Sequence, residues 1–275
     1  MKRPLCNAFM AIFVALTAAA PAPARSPVNT EVAIQPSTGG FILRQQFRYS
    51  EASLNNASSN LDFQAVTGST TLVYGVTSKL TFIADIPATL NFDAKDNTTG
   101  ERTSTSGFAD ATLLSKIRLH RNDFGVNDTA RFDLIAGVEL PTGADRFSRD
   151  SINPIIGGVY SHLQGRHAFH GDLLWKFNTG GGPAGADLLR YDAAWVYRIA
   201  PEQYAPNNPT AWFGILELNG FSFTDSDNEL FLSPGIRYTT TRWSVEATVQ
   251  LPLWQKLDHR PERDYVIGIG FRLRW

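Results

Sequence analysis

The last eleven residues place Tyr265, Ile267, Ile269, Phe271, Leu273 and Trp275 at every second position, with Val266, Gly268, Gly270, Arg272 and Arg274 between them. Successive side chains on a strand point to opposite faces, so this spacing describes one strand with two unlike faces. The segment 131–140 repeats it: Phe132, Leu134, Ala136, Val138 and Leu140 alternate with Arg131, Asp133, Ile135, Gly137 and Glu139. In 243–251, Trp243, Val245, Ala247, Val249 and Leu251 alternate with Ser244, Glu246, Thr248 and Gln250. A period of two excludes an amphipathic helix in these segments. Beyond the N-terminus no apolar run approaches the eighteen residues of a membrane-spanning helix.

The same template predicts twelve strands, near 39–50, 62–74, 79–92, 107–120, 129–140, 152–163, 167–178, 188–199, 210–223, 229–239, 243–251 and 264–275. Most exceed the five or six residues usual in soluble proteins and match the nine to eleven of a tilted membrane-crossing strand. Long polar connections are expected at 51–61, 93–106, 141–151, 179–187 and 252–264, with a short one at 224–227. The intervening connections include tight ones at 75–78, 164–166 and 240–242, and longer ones at 121–128 and 200–209. An even strand number with long loops at one end and short turns at the other is the pattern of an outer-membrane barrel, and it puts both termini on the periplasmic side.

The N-terminus agrees. Lys2 and Arg3 precede an apolar stretch from Ala8 to Ala20, and Ala22-Pro23-Ala24 reads as a cleavage site. This reads as a signal peptide over 1–24, with a barrel expected over 25–275. Its loss removes Lys2 and Arg3 from the 25 basic residues that oppose 26 acidic ones, leaving a formal charge of −3. It also removes Cys6, the one cysteine of the chain. With no basic excess, a nucleic-acid partner has no electrostatic footprint.

A soluble β-sandwich also alternates, but its inward face is apolar. Here the non-lipid face carries many charges, so the polar face closes inward on a wet or ion-paired interior. Phe132, Leu134, Val138, Trp243, Val245, Ile267, Ile269, Phe271, Leu273 and Trp275 are then expected to face lipid. Aromatic residues near strand ends, among them Tyr74, Trp195, Tyr197 and Tyr238, suit interfacial girdles. The expected fold is an all-β, antiparallel up-and-down transmembrane barrel in the bacterial outer membrane. Its partners are membrane lipid and the barrel-insertion machinery, which would read the C-terminal strand ending on Trp275.

Several short segments, in this order, resemble an outer-membrane barrel family linked to the meta-pathway of phenol degradation. They are Gly107-Phe108-Ala109-Asp110, Leu140-Pro141-Thr142-Gly143, Leu216-Glu217-Leu218-Asn219-Gly220, Ser233-Pro234-Gly235-Ile236-Arg237-Tyr238 and Gln250-Leu251-Pro252-Leu253. The resemblance implies a channel or transporter for small solutes, aromatic or apolar compounds among them. It supplies no catalytic residue.

The residues point the same way. The histidines of the barrel are His120, His162, His167, His170 and His259. On a strand, His167 and His170 point to opposite faces, so they do not pair on a metal. His162 and His167 flank a turn and are expected to be interfacial, and His170 is read the same way. Zinc-hydrolase and α/β-hydrolase motifs are absent, so neither an enzyme nor a cofactor is expected. The glycine run 180–182 lacks the Lys-Ser/Thr of a phosphate loop, and Asp225-Ser226-Asp227-Asn228-Glu229 reads as an acidic hairpin tip rather than a calcium loop.

Strand parity sends Arg44, Arg48, Lys116, Arg118, Arg131, Lys176, Arg198, Arg237, Arg272 and Arg274 to the lumen, with Asp85, Asp110, Asp133, Glu139, Asp172, Asp192, Glu217, Glu229 and Glu246. Ten positive against nine negative charges suggest ion pairing rather than a single-sign ring. Barrel closure would bring Arg44 and Arg48 beside Arg272 and Arg274, with Glu246, Asp85 or Asp110 between them. Twelve strands about 4.8 Å apart and tilted about 40° close a cylinder roughly 24 Å across, wide enough for a small-molecule channel and narrow enough for long side chains to fill. The alternative is a non-conducting structural or adhesive barrel with an ion-paired lumen.

Overall fold

Alternation in sequence becomes alternation in burial. The computed structural model describes residues 25–56, 59–125, 127–180, 185–204 and 209–275. In the strand Trp243–Lys256 it exposes Trp243 and Val245 and buries Ser244, Glu246, Thr248 and Gln250. The signal-peptide reading of 1–24 falls outside the described residues.

The strands are β1 (Phe41–Asn56), β2 (Ser59–Gly75), β3 (Leu80–Asp96), β4 (Arg102–Phe108), β5 (Ala111–Asp123), β6 (Thr129–Leu140) and β7 (Asn153–Gln164). They continue with β8 (His167–Lys176), β9 (Leu188–Ala200), β10 (Ala211–Phe223), β11 (Asn228–Thr239), β12 (Trp243–Lys256) and β13 (Glu262–Arg274). Sequence neighbours pair antiparallel except β4 and β5, which both pair with β3, and β1 also pairs with β13, so one sheet closes on itself. Closure leaves no second layer, which removes the sandwich alternative.

The wall has twelve places because β4 and β5 share one. Asp85 of β3 stands opposite Thr112 of β5, whereas Ala88 stands opposite Phe108 of β4. Pro87, which has no N–H to give, lies at the break, and its carbonyl accepts the Ala109 N–H at 2.9 Å. The extra residue on the β4–β5 side makes a bulge, which splits the expected strand 107–120.

The connections correct three expectations. Regions 51–61, 93–106 and 252–264 are largely strand: β1 runs to Asn56 with β2 from Ser59, β3 to Asp96, and β12 to Lys256 with β13 from Glu262. Polar side chains there were a sign of emergence from the membrane, not of an end to pairing. Asn60, Asp62 and Asn97 hydrogen-bond across the extended ribbon. At the opposite end, the β7–β8 turn is closed by Gly165 with φ at +57°, a conformation glycine adopts without steric cost.

Aromatic rings gather at that short-turn end. Phe41 stacks on Tyr74 and Trp275, with centroids 4.5 and 5.9 Å away. Tyr238 lies against Trp212 and Trp243. His167 stacks on Phe169 and Trp195. The chain ends meet there as well, with Phe41 and Trp275 exchanging two backbone hydrogen bonds.

Candidate functional site

The interior is occupied by the chain itself. Residues preceding β1 enter the lumen, and Ser26, Val28, Thr30 and Ala33 are buried. The backbone of this segment binds the wall in a set order. Its N–H groups at Val28, Asn29 and Thr30 all donate to the Glu217 carboxylate of β10, at 2.7–3.1 Å. The Thr30 hydroxyl donates there too, at 2.7 Å. Its carbonyls at Ser26, Pro27 and Val28 accept from three arginines: Arg237 reaches Ser26 and Pro27, Arg272 reaches Pro27 at 2.8 Å, and Arg44 reaches Val28.

Further along, the Glu31 N–H donates to Asp172 at 2.6 Å, and Lys116 donates to the Glu31 carboxylate and the Val32 carbonyl. The Ala33 N–H donates to Ser161 Oγ, and Gln35 Nε2 donates to Asp133. Apolar side chains on the inner face receive what remains: Val28 packs with Leu163, Val196, Phe213 and Ile215, and Ala33 with Ile135, Val159 and Leu174.

Glu246 of β12 organises the arginines. It is fully buried and lies within 3.2 Å of Arg44, Arg237 and Arg272. Arg44 and Arg272 are opposed in the β1–β13 ladder. Arg48 instead donates to Asn29 Oδ1 and Gln250, and Arg274 to the Thr240 carbonyl. Asp85 and Asp110 do not join the group, contrary to expectation: Asp85 accepts from Ser69 and Thr71, on the strand beside it.

Asp110 does other work. At the β4–β5 break its buried carboxylate accepts the N–H groups of Gly143 and Arg149, at 3.0 and 2.7 Å. The connection 141–152 is thereby drawn onto β4, where the Ala144 N–H donates to the Phe108 carbonyl. A Cβ added to Gly107 would come within 2.8 Å of the Phe147 ring. The sequence segments 107–110 and 140–143 therefore meet in space.

The other inward-assigned charges pair mainly with nearby strands: Arg118 with Asp133, Lys176 with Glu139, Arg131 with Asp123 and Glu229 with Arg263. Arg190, absent from the sequence-derived set, bridges Asp172 and Asp192. Arg198 donates to the Glu202 carbonyl. On the outer face Phe132, Trp243, Val245, Ile267, Ile269, Phe271 and Trp275 are exposed, while Leu134, Val138 and Leu273 are partly covered by neighbours.

His170 is not interfacial. It is buried, with Nδ1 2.8 Å from Ser161 Oγ and Nε2 2.7 Å from the Arg25 carbonyl. The carbonyl requires the proton on Nε2, leaving Nδ1 to accept the serine hydroxyl. Both side chains thus hold the backbone of the internal segment. His162 and His167 do lie at the rim, against Phe124 and Trp195. At the other end, the Arg260 guanidinium reaches Asp225 and Asp227, and His259 lies beside Asp227. The positive charge at this acidic tip is a side chain. Of the glycine run, 181 and 182 lie outside the described residues.

Residues 40–267 match the family described as "Putative MetA-pathway of phenol degradation". The chain belongs to this family. Its fold is similar to that of the COG4313 outer membrane channel from Pseudomonas putida F1, at TM-score 0.60 and 15% identity, over 91% of this chain and 99% of that one. The translocator domain of autotransporter NalP from Neisseria meningitidis aligns at TM-score 0.45 and 13% identity, over 87% and 90% of the two chains. The outer membrane protein opdK from Pseudomonas aeruginosa aligns at 0.40 and 10%, over 86% and 98%. At these identities the likeness is one of fold. No curated protein matches. This member of the family has the closed antiparallel fold of an outer-membrane β-barrel.

The internal segment escaped sequence reading because it is short and alternates no better than a linker. A signal was present in the walls. Ile135, Val196, Phe213 and Ile215 fall on the polar face, and apolar side chains there need something to cover them.

Proposed function

We propose that this barrel passes small solutes, aromatic or apolar compounds among them, and that residues 25–35 close it until they are displaced. The observation carrying this reading is that the wall is complete without the segment, which is held instead by hydrogen bonds to its backbone, by polar side-chain contacts such as the Lys116–Glu31 ion pair, and by two apolar clusters. Removing it leaves a closed ring around a polar bore, a usual feature of conducting barrels. The protein acts without catalysis and without a cofactor, in contact with membrane lipid. Residues 1–24 are the export signal, and the insertion machinery reads β13.

The second reading, a non-conducting structural barrel, draws on the filled interior and the near balance of its charges. Single-channel conductance in planar bilayers separates the two. Deleting residues 26–35 should convert a mostly closed protein into one with steady conductance. If the deletion variant folds and stays silent, the structural reading takes over.

A further inference from the structure

We propose that Arg44, Arg237 and Arg272 form a binding site for the carboxylate of a small organic anion, which competes with the carbonyls of residues 26–28 for the same guanidinium donors. The inference rests on the channel reading and adds the chemical class of the solute.

The donors already act on a stand-in. Three consecutive carbonyls, those of Ser26, Pro27 and Val28, sit where acceptor oxygens are required, and Arg237 also donates to the Ser26 hydroxyl oxygen at 3.0 Å. A neutral carbonyl is the weaker acceptor. Bonds between guanidinium and carboxylate are charge-assisted and roughly twice as strong as neutral ones, and the planar fork of arginine matches two carboxylate oxygens.

Charge also favours the exchange. Three guanidinium groups share one carboxylate, Glu246, which is fully buried and already accepts from all three. The cluster therefore keeps an excess of positive charge that backbone carbonyls solvate but do not neutralise. Arg44 and Arg272 are each about one-seventh exposed at the side chain, so the site has an open edge beside the segment. Glu217 limits the ligand. Once the segment leaves, its carboxylate loses the Val28, Asn29 and Thr30 donors and disfavours a second negative charge nearby. The site therefore suits a monoanion.

The test uses benzoate and benzamide, which share a shape and differ in charge, at equal ionic strength and pH 7.5. In planar bilayers, benzoate should raise the open fraction of the full-length mature chain about fivefold or more, within the usual range of coupling between two binding events. Benzamide should not. Arg44→Gln with Arg272→Gln should abolish the difference, provided heat-modifiable gel mobility shows a folded barrel. Should that double variant fail to fold, amide exchange in the unaltered protein gives the answer: the Val28, Asn29 and Thr30 amides should exchange faster in benzoate than in benzamide. Equal effects of the two compounds overturn the proposal. Equilibrium dialysis of labelled benzoate against the 26–35 deletion variant separates the two ideas. Silence in the bilayer with benzoate bound defeats the channel reading alone, whereas conductance without benzoate binding defeats the carboxylate site alone.

Discussion

Arg44 and Arg272 face each other across the seam between the first and last strands, and both donate to the same oxygen of Glu246, Oε1, at 3.2 Å. Like charges at directly paired positions repel. The seam closes because the carboxylate sits between them, with Arg237 on its other oxygen at 3.0 Å. Removing one member of such a buried group leaves charge without compensation.

Glu246→Gln should therefore destabilise the barrel by about 3–5 kcal/mol, the cost of breaking a buried ion pair from one side. Urea titration of the folded protein in vesicles would measure it. A midpoint unchanged from the parent protein would mean that water, rather than Glu246, screens the arginines.

The outer face gives an independent test. Ile269 is 58% exposed and stands between Phe47 and Ala247 in the ladder. Ile269→Arg places a charge near mid-membrane and should cost about 2–4 kcal/mol, while Ile269→Val should be nearly silent. Gly268, one residue away, faces inward, where a Cβ would meet Thr248 at 3.0 Å. Substitution there should act by crowding the lumen. Equal tolerance of the two Ile269 changes, read by heat-modifiable mobility, would reverse the face assignment.

Those two faces were legible in the sequence because a strand's side-chain period is two and lipid and water make opposite demands on each face. Arg44 and Arg272 could be paired across the seam on parity alone. What parity does not carry is the third dimension of the lumen. Glu217 and Arg237 were assigned inward, yet nothing in their strands says that they bind the backbone of residues 26–30, since backbone groups look alike in every sequence. Strand ends were lost for a related reason: β1, β2, β3 and β12 continue beyond the membrane, where polar residues pair as well as apolar ones.

Glu217→Gln tests the internal segment. The variant keeps the shape of the side chain and loses the charge that three N–H groups share. Hydrogen bonds to charged groups contribute about 1.5–3 kcal/mol each, so the segment should dissociate more often and openings should become more frequent. Global stability should fall less than in Glu246→Gln. Single-channel recording reports the first effect and urea titration the second. A change in stability alone would make Glu217 a wall residue and not a latch.

The acidic tip gives a pH dependence. Burial raises the Asp227 carboxyl, but N–H donation from Asp258 and His259 and the Arg260 guanidinium outweigh it, holding the group below the ordinary carboxylate value. A depressed carboxyl contributes stability that is present above its unfolded value, about 3.9, and is lost as pH falls through the folded value. The clasp between the connections 224–227 and 257–261 should stay closed from neutral pH to about 5 and loosen below about 4. Amide exchange at Asp258 and His259, corrected for intrinsic rates, would follow it. Asp227→Asn should show at pH 7 the fast exchange that the parent shows only in acid. Identical protection in both proteins would show that Arg260 and Phe223, 3.7 Å apart, hold the tip unaided.

At the mouth opposite the chain ends, the connection 141–152 folds onto the strand break. Besides the Ala144 bond to Phe108 and the Ala111 bond to Thr142, two features hold it there: the Asp110 carboxylate, which accepts the Gly143 and Arg149 N–H groups, and the bare Cα of Gly107, which lets the Phe147 ring approach. A leucine at 107 would meet that ring at its first side-chain carbon, 2.8 Å away, and a flexible connection yields more readily than a closed sheet. Gly107→Leu should therefore lift the connection and leave the barrel folded, and Asp110→Ala should do the same by removing its anchor. In a protein already lacking residues 26–35, either change should increase conductance further, on the proposal that the connection narrows this mouth of the bore. With the internal segment in place, neither should conduct. Cleavage by trypsin after Arg146 or Arg149 gives a readout independent of conduction, since a lifted connection is open to protease. If both variants resist trypsin as the parent does and conductance does not rise, the connection is held by contacts other than Asp110 and Gly107, and the pairing of these two sequence segments has no bearing on the pore.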